Sequence, residues 1–211
     1  MQELPLQIQN TKPDSVWDLY VPIIESKTTT HAYLTSGIDE PSLYNQLCHS
    51  LYCASESDTF YLHINTLGGM LDTTFMILDA IRNSKAHVIG HLTGTVASAG
   101  TIIALTCDDI ICSDDLAWMS HYYSAHIGGK GNEIKTRQDF TERTTSATFR
   151  RIHEGFFTKK EIEEMINGKD FWLDEHEVRE RWARKQSTIS RLADEAEPTQ
   201  LATKRGRPRK A

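Results

Sequence analysis

The sequence predicts an α/β fold built on a parallel sheet, and three observations carry that prediction. A unit of strand, glycine turn and helix occurs twice in succession, through Gly68-Gly69 and through Gly94 to Gly100. The strand segments alternate and are rich in aromatic and β-branched residues, whereas the segments between them repeat apolar residues at helical spacing. Repeated βα units of this kind form parallel sheets with right-handed crossovers, and glycines at two successive strand ends mark the place for a site.

Taken in order, Thr11 to Lys27 is mostly polar around the apolar Val21 to Ile24 and predicts an irregular or edge segment. "HAYLTSGIDEPSLYNQLCHSLYCASES" predicts a short strand, a turn at Gly37 to Pro41, and a helix with Pro41 in its first turn and Leu43, Leu47 and Leu51 on its core face. Phe60 to Asn65 alternates as a strand up to Gly68-Gly69, and "MLDTTFMILDAIRNS" places Leu71, Phe75, Leu78 and Ile81 on one helical face. The second unit has a strand at His87 to Thr93, a turn at Gly94 to Gly100 and a helix starting at Thr101 to Thr106, with further strands at Asp109 to Cys112 and Ala117 to Ser120. A long helix is expected over Asn132 to Phe157, then a shorter one, "TKKEIEEMI", with Thr158 and Glu161 as a capping box and its end at Asn167-Gly168.

A chain of 211 residues supports one good-sized core. The expected organisation is an N-terminal arm (1–20), a single domain (21–182) and a disordered C-terminal tail (183–211). The net charge is −6; Lys204 to Lys210 contribute +5 of it, so the rest carries −11 and is a poor nucleic-acid surface, while the end is a basic patch. The uncharged stretch Ala86 to Cys107 holds two His, three Gly and several Thr, so it reads as strand, turn and helix, with no membrane association expected. The opening MQELPLQIQN has no basic segment followed by an apolar one, and the expected location is the cytoplasm. Cys48, Cys53, Cys107 and Cys112 form no CxxC pair, which favours reduced core thiols with no metal site.

Ser98 sits in "GTVASAGT" between Ala97, Ala99 and Gly100, at a strand-to-helix junction. A tight turn there holds the hydroxyl, and the next backbone N–H faces a carbonyl oxygen under attack. The Gly68-Gly69 turn can supply a second donor. Serine needs a base, and of the nine histidines His121 is the best placed, directly after the apolar strand Ala117 to Ser120. The plain alternative is a histidine that merely ends a strand.

These residues resemble a family. "HINTLGG", "GTVASAGT", "WMSH" and "GKDFWLDEHEV" fall in the order and at about the spacing of I-N-S-P-G-G, G-x-A-A-S-M-G, M-I-H-Q-P and R-D-x-F-L-S-x-x-E-A in ClpP, the proteolytic subunit of the ATP-dependent Clp protease. The resemblance spans about Val21 to Val178. It implies a crotonase/ClpP-like fold of repeated ββα spiral units, with Ser98 as nucleophile, His121 as general base and Asp170 as the orienting acid, for which a plain solvated carboxylate after Gly168-Lys169 is the alternative. It also implies backbone oxyanion donors at Gly69 and Ala99, substrate contacts at Gly68, and substrate or ring contacts at Gly128 and Gly129 within "HIGGKGNE", for which a plain hairpin is the alternative. The implied assembly is a homo-oligomeric ring acting on polypeptides with an AAA+ unfoldase, which would use the ATP; the chain itself needs no cofactor.

The chain departs from the family pattern at Thr66-Leu67, at Ala99, at Tyr122-Tyr123 after the histidine, and at Trp182 to Lys185. Three other readings share these residues: an acyl-CoA enzyme of the crotonase superfamily, an inactive scaffold subunit, and a phage-type protease that processes one partner. Finally, "KRGRPRK" resembles an AT-hook, in which Arg205, Gly206, Arg207, Pro208 and Arg209 would lie in the minor groove of A/T-rich DNA. The alternative there is a solvated basic tail.

Overall fold

Alternation turns Phe60, Leu62, Ile64 and Thr66 of one strand to the same buried face, and the neighbouring strands do likewise with Ala32 and Leu34 and with Val88, Gly90 and Leu92. These strands are β1 (Thr29–Leu34), β2 (Thr59–Thr66) and β3 (His87–Ala97), all paired in parallel. The structure, a computed structural model, describes residues 29–125 and 128–196; the arm (1–20) and the basic end lie outside the described residues. β4 (Asp109–Cys112) pairs with the first part of β3, where Ile89 meets Asp109, and β5 (Ala117–Ser120) pairs with its last part, where Thr95 meets Ala117. The sheet order is β1-β2-β3-β5-β6, with β4 also on β3. It is parallel apart from β6 (Phe171–Asp174), which runs antiparallel to β5.

α1 (Asn45–Cys53), entered through a 3-10 turn at Pro41–Tyr44, and α2 (Leu71–Asn83) connect the first three strands. α3 (Ala99–Ala104) follows β3, and α4 (Gly131–His153), α5 (Lys159–Ile166) and α6 (Glu175–Ala196) complete the fold. Trp118, Phe60, Phe156, Leu51, Leu62 and Ile64 are fully buried in the core. Each such side chain contributes roughly 1.5–3 kcal/mol on leaving water. Cys48, Cys107 and Cys112 are buried free thiols, but Cys53 is exposed at the end of α1, where it is not a core residue.

Three expectations need correction. β3 does not stop at Thr93: it runs through Gly94 (φ 59) to Ala97, because β4 and β5 use successive parts of it. Glycine permits that backbone angle, and the Asn65 side chain occupies the space where a Cβ would point, beside a register shift between Ile64 and Thr66. The long helix ends at His153 rather than Phe157, because Glu154 adopts ψ 136 and Gly155 turns at φ 82 against Lys185. Phe156 and Phe157 then enter the core from outside the helix.

The tail expected from residue 183 is instead helical, since α6 continues to Ala196. Its polar side chains hydrogen-bond backbone carbonyls elsewhere in the fold. Lys185 Nζ donates to Ile152 O at 2.9 Å, Arg184 to the carbonyls of Gly155 and Phe156, and Gln186 to Asp108 O at 2.8 Å. Lys185 and Arg184 thereby satisfy carbonyls left open at the end of α4 and in the turn after it, and Gln186 one in the turn before β4. The capping box at Thr158 is formed, with Glu161 N–H on Thr158 Oγ1 at 3.2 Å and Thr158 N–H on Glu161 Oε2 at 2.7 Å.

Candidate active site

Ser98 stands where β3 hands over to α3, and its N–H still donates to Met119 O of β5 at 2.9 Å. Its backbone has φ 52 and ψ −120, and it is the one non-glycine residue with positive φ among the described residues. Such a conformation costs on the order of 1–3 kcal/mol and needs surrounding structure to hold it. That structure is small and close: Ala97, Ala99 and Gly100 are buried, and a Cβ on Gly100 would lie 2.6 Å from Thr66 Cγ2. Thr101 fastens the Ser98 carbonyl through its N–H at 3.0 Å and its hydroxyl at 2.7 Å.

His121 leaves the end of β5, and its Nε2 lies 2.8 Å from Ser98 Oγ, so the serine hydroxyl can donate to the ring. Both residues are half-buried. The preceding residue is anchored from inside: Trp118 Nε1 donates to Ser120 Oγ at 2.9 Å, and Ser120 Oγ donates to Thr101 Oγ1 at 3.3 Å. One buried chain of contacts therefore places the strand that carries the imidazole against the helix that follows the serine.

The Gly68-Gly69 turn closes over the same point. A Cβ on Gly68 (φ 99) would sit 2.6 Å from Ser98 Cβ and 2.9 Å from Ala99 N. On Gly69 it would sit 2.1 Å from Ile38 O. Gly68 N–H donates to Thr66 Oγ1 at 3.1 Å, and Thr66 Oγ1 donates to Ser36 O at 2.5 Å. Ile38 N–H donates to Gly68 O and Met70 N–H to Ile38 O, which leaves Gly69 N–H outside that ladder. Gly69 N–H and Ala99 N–H, the first of α3, have no acceptor among the described residues.

Beside Ser98 and His121 opens a small pocket lined by Leu71, Phe75, Ile102, Tyr123, Thr145, Phe149 and Ile152. Its walls suit an apolar side chain. Just beneath it, His153 stacks on Phe149 with ring centroids 3.9 Å apart and places Nδ1 2.9 Å from Phe149 O. Burial pushes this imidazole down to about 4, against the opposing pull of its bond to Phe149 O.

Of the residues singled out in the sequence, the structure brings together Ser98, His121, Gly68, Gly69 and Ala99. Asp170 is exposed and immediately precedes β6, whose Phe171 pairs with Ser120. The antiparallel register thus sets Asp170 across from His121, with no hydrogen bond between them. Gly128 and Gly129 are exposed, belong to no strand and do not line the pocket. Arg205 to Arg209 lie outside the described residues. Sequence reasoning missed Tyr123, Phe149 and Ile152 as pocket walls; the last two, three positions apart on α4, carried a helical-face signal that did not say what they face.

A family model described as Clp protease matches residues 23–181. The chain is 29% identical, over 69% of its own length and 74% of the relative's, to an ATP-dependent Clp protease proteolytic subunit 2 of Pseudomonas aeruginosa. It is 28% identical to an ATP-dependent Clp protease proteolytic subunit of Streptococcus suis, over 48% of this chain and 52% of that one. With a subunit of the same description from Lactococcus lactis it shares 26% identity over 46% and 48%. No helix among the described residues is long and apolar enough to cross a membrane.

Proposed function

Because the chain belongs to the Clp protease family, we propose that it is a serine endopeptidase in which Ser98 attacks the peptide carbonyl and His121 carries the proton. The observation that carries this reading is the 2.8 Å contact between Ser98 Oγ and His121 Nε2, made at a strained turn beside two N–H groups that have no acceptor among the described residues.

In the forward step the Ser98 hydroxyl gives its proton to Nε2 as Oγ bonds to the carbonyl carbon. The carbonyl oxygen becomes an oxyanion and accepts from Gly69 N–H and Ala99 N–H. His121 returns the proton to the departing amine, which leaves an acyl-enzyme on Ser98. A water deprotonated by the same imidazole then releases the acid and restores the serine. The apolar pocket holds the side chain before the scissile bond. Asp170, set across from His121 by the β5–β6 register, turns to accept from His121 Nδ1–H, holding the tautomer that leaves Nε2 free as a base.

The working particle is a homo-oligomeric ring that hydrolyses short peptides alone and folded proteins with an AAA+ unfoldase. The chain uses no cofactor of its own. Chromogenic peptides with Leu or Phe before the scissile bond, assayed alongside light scattering, test this. Turnover that disappears in Ser98→Ala, from particles many times the 24.0 kDa chain mass, is expected. Full turnover in Ser98→Ala overturns the assignment, and activity from monomers overturns the ring.

A further inference from the structure

His121 is followed by two tyrosines, and both reach the same carboxylate. Tyr122 Oη donates to Glu142 Oε1 at 3.0 Å and Tyr123 Oη to Glu142 Oε2 at 3.2 Å, so each carboxylate oxygen takes one hydroxyl. The two rings meet edge to face with centroids 4.7 Å apart, and Tyr122 meets Phe149 in the same way at 5.1 Å. Tyr123 and Phe149 are both walls of the pocket beside Ser98. One carboxylate on α4 therefore ties the segment leaving the reactive histidine, with the wall residue Tyr123, to the helix that carries the wall residue Phe149.

We propose that Glu142 is a positioning residue that sets the width of this pocket, and hence the preference for a bulky apolar side chain before the scissile bond, by clamping Tyr122 and Tyr123 to α4. The inference rests on the peptidase reading above.

Three features support the clamp. Glu142 is exposed, so its carboxylate remains hydrated while it accepts, and the bonds do not have to offset the burial of a charge. Both phenols are pushed up in pKa, by burial first and then by the bond to Glu142, so their protons stay on the hydroxyls and the donors persist at alkaline pH. Tyr123 spends its polar atom on Glu142, which leaves an apolar ring for the pocket. Loss of Glu142 would free two half-buried tyrosines next to His121 without removing any atom that touches the reacting carbonyl.

The test compares the unsubstituted protein with Glu142→Ala, Glu142→Gln, Tyr123→Phe and the double variant Glu142→Ala/Tyr123→Phe. Their kcat and KM are measured on peptides with Phe, Leu or Ala before the scissile bond. Losing charge-assisted bonds at an exposed site should lower the Phe-to-Ala ratio of kcat/KM by roughly threefold to tenfold in Glu142→Ala. The loss should fall more on KM for Phe than on kcat. Glu142→Gln, whose single carbonyl oxygen serves one hydroxyl, should fall between. The double variant should match Glu142→Ala alone, because Tyr123 then has no partner to lose.

A carboxylate that merely stabilised the surface would change the melting temperature and leave the ratio alone. An unchanged ratio in Glu142→Ala, or a Tyr123→Phe effect that adds in full on that background, overturns the positioning role. Fluorophosphonate labelling of Ser98 is followed in parallel. Labelling with an unchanged ratio removes the clamp alone, whereas no labelling of the unsubstituted protein overturns the peptidase reading and the clamp with it.

Discussion

Gly68→Ala offers a graded perturbation of the reactive serine, since the strain at this position has two separable causes. The backbone sits at φ 99, which an L side chain resists by roughly 1–2 kcal/mol. The new methyl would also fall 2.6 Å from Ser98 Cβ and 2.9 Å from both Ala97 O and Ala99 N, where the neighbours are backbone or short side chain and cannot swing aside. Overpacking of that kind adds roughly 1–3 kcal/mol, for a total of about 2–5 kcal/mol. Gly168→Ala isolates the first cause, because that glycine has φ 97 with no described residue within 4 Å of an added Cβ. Gly128→Ala carries neither, having no described residue within 4 Å of an added Cβ and no unusual φ. Each kcal/mol is worth about 2–4 °C in Tm for a domain of this size. Thermal melts should therefore rank Gly128→Ala near the parent, Gly168→Ala a few degrees lower and Gly68→Ala lower still. Ser98 reactivity towards a fluorophosphonate should fall at least tenfold in Gly68→Ala alone, as the serine is pushed away from His121. Equal melts for Gly68→Ala and Gly168→Ala, or undiminished labelling in Gly68→Ala, would refute the reasoning.

Asp170→Asn should leave the fold intact, because the side chain is exposed, yet lower kcat by roughly 10²- to 10⁴-fold; full activity in steady-state assays would remove Asp170 from the mechanism. His153 is held at about 4 against an ordinary 6.5, so between these values the unfolded chain takes up a proton that the folded chain refuses, and stability falls as pH drops through that window. Urea unfolding from pH 7 to 4 should show this fall reduced in His153→Leu by up to about 1.4 kcal/mol per pH unit; an identical slope in both proteins contradicts it. If the KRGRPRK end is an AT-hook, the full chain should prefer A/T-rich over G/C-rich duplex at equal salt, and deleting Lys204 to Ala211 should abolish that preference with peptidase activity unchanged; equal weak binding by the full chain would leave a charged tail only.

The sheet was legible where periodicity is strong. β2 alternates over Thr59–Thr66 and α2 repeats Leu78 and Ile81 on its core face, so both elements lie within a residue or two of their expected bounds. β6 escaped because four residues ending in Asp174 carry too little pattern, and its antiparallel partner is far away in sequence. α6 escaped for a different reason: Arg184, Lys185 and Gln186 read as solvated, and their role is to bond carbonyls that no hydropathy pattern displays. Gly94 was misread as a turn because a glycine in a bulged strand and one in a loop look alike in sequence. Around the site, small residues flanking Ser98 and the glycine pair at 68 and 69 pointed to one place because only such residues fit there. Tyr122, Tyr123 and Glu142 come from a loop and an exposed helical face, and nothing in their spacing announces that they meet.

The central claim is that Ser98 is nucleophilic because His121 takes its proton. Peptide mapping by mass spectrometry after fluorophosphonate treatment tests it most directly, using the unsubstituted protein, Ser98→Ala and His121→Ala. The account predicts one adduct, on the peptide containing Ser98, absent from Ser98→Ala and slowed by orders of magnitude in His121→Ala. An adduct on another residue, or undiminished labelling of Ser98 without His121, would contradict it.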